Sequence, residues 1–299
     1  MPAGELAALG TATSWTASSL AFEGAARRIG SLSLNFLRVV LALAWLTVLA
    51  VIVTGRAMPA ASATQWAYLL ASGVVGLVLG DLCTFRAYVL LGAQRTMVFA
   101  TATPIFTAAL AWIALGETVS VREAAGMVVI VAGVVLTIRD RVPVRVVTGV
   151  GAHPVRGALL ALGGALGQAG GLLLSKRGLG ATSTIGDAMA ATQIRLLAGI
   201  AGFALVLTGA RWWSKFGGAL KDGRAVALTA TGALLGPGIG VSLSLYAVTH
   251  ASAGVASALM SLTPVLLIPV VLARGDRVGA AGIAGSVLAV AGVVILALA

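Results

Sequence analysis

The sequence predicts an all-α integral membrane protein, with ten transmembrane helices arranged as two inverted five-helix repeats around a central cavity. Three observations carry this. Of 299 residues, 59% are hydrophobic and only 10% charged, against roughly a quarter charged in a soluble domain. The apolar residues recur in blocks of about 20, the length that crosses a ~30 Å hydrocarbon core. The two halves of the chain also repeat one another.

The approximate spans run 5–25, 32–54, 65–89, 96–115, 121–138, 157–175, 188–208, 225–248, 253–273 and 279–298. No basic region precedes the first block, so it reads as a retained span rather than a cleaved signal peptide. The second opens on Arg38. The third carries Gly76 and Gly80, whose four-residue spacing favours close helix crossing, and then Asp81. Pro104 is expected to kink the fourth, and the fifth is Gly-rich. The longest polar break, Arg139 to Arg156, follows and contains Pro143, Gly149, Gly151 and Pro154. It divides the chain into a first five-helix repeat over 1–138, a linker over 139–156 and a second repeat over 157–299. In the second half, span 6 places Gln168 among five glycines and span 7 carries Arg195. Span 8 holds Gly236-Pro237-Gly238 and Gly240, and Pro264 is expected to kink span 9.

A shift of 160 residues puts Gly76 on Gly236, Gly80 on Gly240 and Pro104 on Pro264. A shift of 157 puts Arg38 on Arg195, and one of 153 puts Trp15 on Gln168. Small loop insertions account for the drift. Because each repeat has an odd number of spans, the second enters the membrane from the opposite side. Inverted repeats of this kind place a substrate site near the midplane between the halves.

Asp81 is the most informative residue. A carboxylate at bilayer depth costs about 2.5–3.5 kcal/mol on insertion scales, so it faces protein or a water-filled cavity. Two readings stand: a proton-sensitive group in a cavity, or a structural ion pair with Arg38, Arg195 or Arg86. Arg38 and Arg195 lie near the starts of matching spans, where a guanidinium reaches the head groups by snorkelling; they are read as structural, with a substrate carboxylate as the second role. Trp15 and Gln168, repeat mates near mid-membrane, are candidates for the apolar and hydrogen-bonding walls of one cavity, or for helix packing. Pro104, Pro237 and Pro264 are candidate hinges. Asp81 and Phe85 share a helical face, as do Ser242 and Tyr246.

Other chemistry is not supported. The net charge of +11 sits at the ends of apolar blocks, where it meets lipid head groups, and no basic stretch is interleaved with aromatics as a nucleic-acid surface requires. Cys83 allows no intrachain disulfide. His153 and His250 are far apart in sequence and lack an acidic cluster, so no metal site is expected. The sequence holds no phosphate-cradling motif, no cofactor motif and no catalytic constellation. Glu23, Glu117, Asp187 and Asp276 read as span-end caps or interfacial charges.

Several motifs occur in order: Ser14-Trp15, then Asn35-Phe36-Leu37-Arg38, then Pro104-Ile105-Phe106-Thr107 running to Ala114-Leu115-Gly116-Glu117, then Val131-Ala132-Gly133-Val134. The second half echoes them with Arg195, Thr263-Pro264, Gly275-Asp276 and Ala291-Gly292-Val293. Over essentially its whole length the chain resembles the EamA-type branch of the drug/metabolite transporter superfamily. The resemblance implies a secondary transporter of small metabolites by alternating access, with amino acids or amino-acid-like compounds as the solute class. It also implies that spans 1, 3, 4, 6, 8 and 9 line the cavity. That adds Phe85, Thr101, Ser242, Tyr246 and Ser261 to Trp15, Asp81 and Gln168 as candidate solute contacts. The alternative class, a lipid-translocating or lipid-organising protein, needs a groove open sideways to the bilayer.

The expected location is a bacterial cytoplasmic membrane. Among the 20 Lys and Arg, only Arg56, Arg122, Lys176 and Arg177 fall in even-numbered connections. Apart from Arg38 and Arg195, the rest fall in odd-numbered ones. The positive-inside rule then puts both termini outside, against the cytoplasmic termini that the resemblance implies. Nothing in the sequence indicates an oligomeric state.

Overall fold

The computed structural model describes residues 2–91, 96, 99–139, 154–180, 183–273 and 279–298. Among these the chain is helical and contains no strand. The helices are α1 (Ala3–Ile29), α2 (Ser31–Thr54), α3 (Ala63–Ser72), α4 (Asp81–Leu91), α5 (Thr103–Leu115), α6 (Val121–Arg139), α7 (Pro154–Leu179) and α8 (Ile185–Gly209). They continue as α9 (Trp213–Ala219), α10 (Gly223–Ala233), α11 (Val241–His250), α12 (Ala253–Met260), α13 (Thr263–Leu266), α14 (Ile268–Ala273) and α15 (Ala280–Ala297). Two π-helical segments, Gly73–Gly80 and Leu234–Gly240, join α3 to α4 and α10 to α11.

Local chemistry sets the ends. Ser62 and Gln65 form a capping box at the start of α3, and Thr184 and Asp187 form another at α8; each satisfies backbone N–H groups that the helix leaves open. Asp222 accepts the Ala225 N–H at 3.0 Å and starts α10. Gly55 and Gly116 close α2 and α5 in the left-handed conformation, at φ 70° and 67°, which a side chain would strain.

Among the described residues, seven helical runs are long and apolar enough to cross a membrane, and Thr103–Leu115 and Ala280–Leu296 are apolar but shorter. Ten crossings are therefore not reached on length and apolarity. The first helix departs for a physical reason. Its 27 residues make a rod of about 40 Å, but one face is polar and buried in protein. Thr11 donates to the Ala7 carbonyl at 2.9 Å and lies 3.3 Å from that of Gly240, and Ser18 donates to that of Gly232 at 2.8 Å.

The halves interlock. Helix α1 packs against α10, the second π segment, α11 and α12 of the other half; α7 packs against α3, the first π segment, α4 and α5. The remaining helices pair with their repeat mates, α2 with α8 and α6 with α15. Phe36, Val39, Ala42 and Leu46 meet Leu196, Phe203 and Leu207 in the first pair. In the second, Gly126 and Gly133 face Leu296 and Ala289, so closely that a Cβ on Gly126 would stand 2.8 Å from Leu296 Cγ. Large apolar side chains on the outer faces, including Trp112, Ile113, Leu205 and Val287, are exposed, as a bilayer-facing surface requires.

The expected kinks at Pro104 and Pro264 are corrected. Each proline occupies the first turn of a new helix, α5 or α13, so the chain breaks and restarts there. The missing proline N–H costs nothing in a first turn. Of these three, Pro237 lies inside an unbroken helical segment, the second π segment, while Pro264 interrupts the run Ala253–Val270. Helix α9 was not anticipated; Trp213 and Phe216 pack edge-on against Phe36, with ring centroids 5.4 and 5.0 Å away.

Candidate functional site

Glycines bring α7 against the first π segment. A Cβ on Gly167 would stand 2.8 Å from Gly80 Cα, and one on Gly171 equally close to Gly76 Cα. This approach delivers Gln168 to Asp81, the first residue of α4. The Gln168 amide Nε2 donates to Asp81 Oδ1 at 3.1 Å and to the Gly76 carbonyl at 3.0 Å. Asp81 Oδ2 accepts from Arg38 Nη2, a charge-assisted bond between side chains that are only 13% and 11% exposed. Phe22 of α1 lies beside the Arg38 guanidinium, 5.8 Å from ring centroid to Cζ.

Arg195 stands on the other side. Its Nη1 donates to Ser175 Oγ at 2.9 Å, and Ser175 is in turn 2.7 Å from Ser72 Oγ. The snorkelling reading of the arginines is corrected here. Arg195 is 4% exposed and sits about 15 Å along α8 from its first residue, beyond the reach of its side chain to a helix end. Arg38 likewise turns inward to Asp81. Both Nε atoms are buried with no protein partner.

Between these groups lies an enclosed cavity, with room for little more than a water molecule. Trp15, Arg38, Leu77, Thr192, Arg195, Pro237 and Val241 line it. It therefore joins α1, α2, α8, α11 and both π segments. Trp15 is among the lining residues. Gln168 is committed to Asp81 and Gly76 rather than to the opposite wall.

The other sequence candidates divide. Ser242 is 4% exposed and donates to the Gly238 carbonyl at 2.7 Å. Tyr246 stacks on His250, ring centroids 4.0 Å apart. Ser261 donates to the Ala258 carbonyl at 2.7 Å, and Thr101 is 8% exposed in the break before α5. None of the four lines the central cavity. The side chain of Phe85 lies outside the described residues, as do those of Glu23 and Asp276, residue His153 and most of the 139–156 linker. Ser175 and Thr192 were missed. Ser175 shares a face of α7 with Gln168 and Gly171 at i, i+3 and i+7, a signal that was legible.

A second polar cluster closes one rim. Glu117, beyond α5, contacts Lys176 Nζ at 2.6 Å and accepts the Ala253 N–H at 2.9 Å. Lys176 Nζ also donates to the Ala251 carbonyl at 2.9 Å. Glu117 thus caps the first turn of α12, as a span-end acid does, and also ties the halves together. Towards the opposite rim, Arg28 Nε meets Asp222 Oδ2 at 2.7 Å. That bond, with the Ala225 N–H, holds the Asp222 carboxyl below its usual range.

Comparison with known proteins agrees with this architecture. A solved structure bearing only the name "Crystal structure of protein" shares the fold with a TM-score of 0.73 over 99% of this chain and 96% of its own, at 18% identity. No curated protein matches. The profile of the EamA-like transporter family matches twice, over residues 2–139 and 155–298. Two copies of that unit account for the interlocked halves, and the chain belongs to the EamA-like transporter family.

Proposed function

We propose that the protein is a secondary transporter with ten membrane crossings in two inverted repeats, moving a small amino acid or amino-acid-like solute by alternating access. One observation supports this above others: a small cavity walled by both halves, with the buried Arg38 and Arg195 among its lining residues. Buried charges are costly within a membrane and mark solute or ion pathways.

In this reading Trp15 supplies the apolar wall. Asp81 is the proton-sensitive element, since protonation would release Arg38 from its ion pair. The tight cavity corresponds to an occluded form, and the breaks before Pro104 and Pro264 with the π segment at Pro237 are the points that bend as it opens. The Glu117–Lys176 tie would part when its rim opens. The excess of Lys and Arg in odd-numbered connections orients both termini outward in a bacterial cytoplasmic membrane.

Uptake of pooled labelled amino acids into proteoliposomes tests the reading. Time-dependent, saturable accumulation by the wild type is expected. Uptake no faster than in protein-free liposomes across amino acids and other small metabolites would overturn it.

A further inference from the structure

The two repeats differ in charge at the cavity. Arg38 and Arg195 are repeat mates, and Arg38 has a carboxylate partner on the helix that follows the first π segment. The equivalent position after the second π segment, 160 residues on from Asp81, is Val241. Val241 lines the cavity beside Arg195, and no carboxylate stands there.

From this asymmetry we infer that the solute is recognised by a carboxylate that binds beside Arg195, in the place that Asp81 occupies beside Arg38. Three observations converge on that spot. Arg195 is 4% exposed and its Nε, like that of Arg38, has no hydrogen-bond partner among the described residues, an unmet donor that costs free energy until an acceptor arrives. The cluster contains two guanidinium groups and one carboxylate, so it carries one unbalanced positive charge when all are ionised. Trp15 supplies a further donor: its Nε1 lies 3.3 Å from where a Cβ on Gly240, the residue before Val241, would stand. By the repeat it takes the place of Gln168, whose amide donates to Asp81. A carboxylate fits better than a compact anion because the guanidinium fork matches its two oxygens. The inference rests on the central cavity being the solute site.

Thermal unfolding of the detergent-solubilised protein in chloride-free buffer tests it with three probes of similar apolar bulk. They are 4-methylpentanoate (carboxylate only), leucine (both groups) and leucinamide (amine only). 4-Methylpentanoate and leucine are both expected to stabilise the wild type with apparent affinities at least tenfold above that of leucinamide. Val241→Asp would install the missing carboxylate, raise the melting temperature of the unliganded protein and weaken 4-methylpentanoate at least tenfold. Arg195→Gln would weaken it similarly. Leucinamide binding as tightly as 4-methylpentanoate overturns the inference, and so does undiminished binding by a folded Val241→Asp protein. Equal stabilisation by chloride overturns the carboxylate assignment in favour of a small inorganic anion. Absence of uptake with the carboxylate effect intact would instead count against transport.

Discussion

At the residue scale, the central feature is a carboxylate shared by a guanidinium and an amide inside the bundle. Replacing Asp81 with Asn would leave Arg38 buried without a counter-charge, and breaking a buried pair on one side costs about 3–5 kcal/mol. A markedly lower melting temperature is therefore expected for Asp81→Asn, and a melt within a degree of wild type would show that the pair carries no stability. Asp81, Trp15 and Gln168 were legible because polar or bulky aromatic groups inside apolar blocks have few places to go. The arginines were misread because their depth depends on where each helix starts. Helix α8 begins at Ile185, before the expected position 188, and Arg195 lies correspondingly deeper. Partners contributed by the other half, such as Ser175, are invisible to local spacing. At the rim, Asp222 gives a pH-dependent contribution of known sign. Its lowered pKa means that the Arg28 bond stabilises the fold at neutral pH. The contribution fades as the pH falls through the depressed value, below the ordinary 3.8. Asp222→Asn should flatten the loss of melting temperature on acidification, and an unchanged acid slope would remove that role.

At the element scale, glycine decides which helices touch. The matched spacings at Gly76/Gly80 and Gly236/Gly240 pointed to close crossings, and the structure brings the first pair against Gly171 and Gly167. What spacing could not show was the π-helical geometry of both segments. A glycine pattern reports how near a neighbour comes, not which hydrogen-bond register the backbone adopts. The proline breaks were misjudged similarly, since a proline that kinks a continuous helix and one that opens a new helix look identical in sequence. Gly171→Leu would drive a side chain into the Gly76 backbone. A destabilisation of about 1–3 kcal/mol or more is expected for such overpacking, measured by thermal unfolding in detergent. A variant as stable as wild type would show that the α7 crossing yields at little cost.

For the whole molecule, the exchange of first helices makes each half incomplete alone. Helix α1 finds its walls in the second repeat and α7 in the first, so a relative movement of the halves would reshape the cavity that both line. The repeat was visible in the sequence; the interlocking was not, because it depends on which copy receives each helix. The Glu117–Lys176 tie joins the halves at one rim. Lys176→Met should raise the labelling rate of a cysteine placed at Thr192 by a membrane-impermeant reagent from that side, severalfold over the same cysteine with Lys176 intact. An unchanged rate would remove the tie from gating. The most direct test of a moving, two-sided site centred on the buried Arg–Asp pair is labelled solute uptake into proteoliposomes with and without an imposed proton gradient. Wild type and Asp81→Asn would be compared at equal reconstituted amounts of folded protein. Gradient-driven accumulation by the wild type is expected, with only equilibrative exchange left in the variant. Equal accumulation by both proteins would contradict a role for Asp81 in coupling.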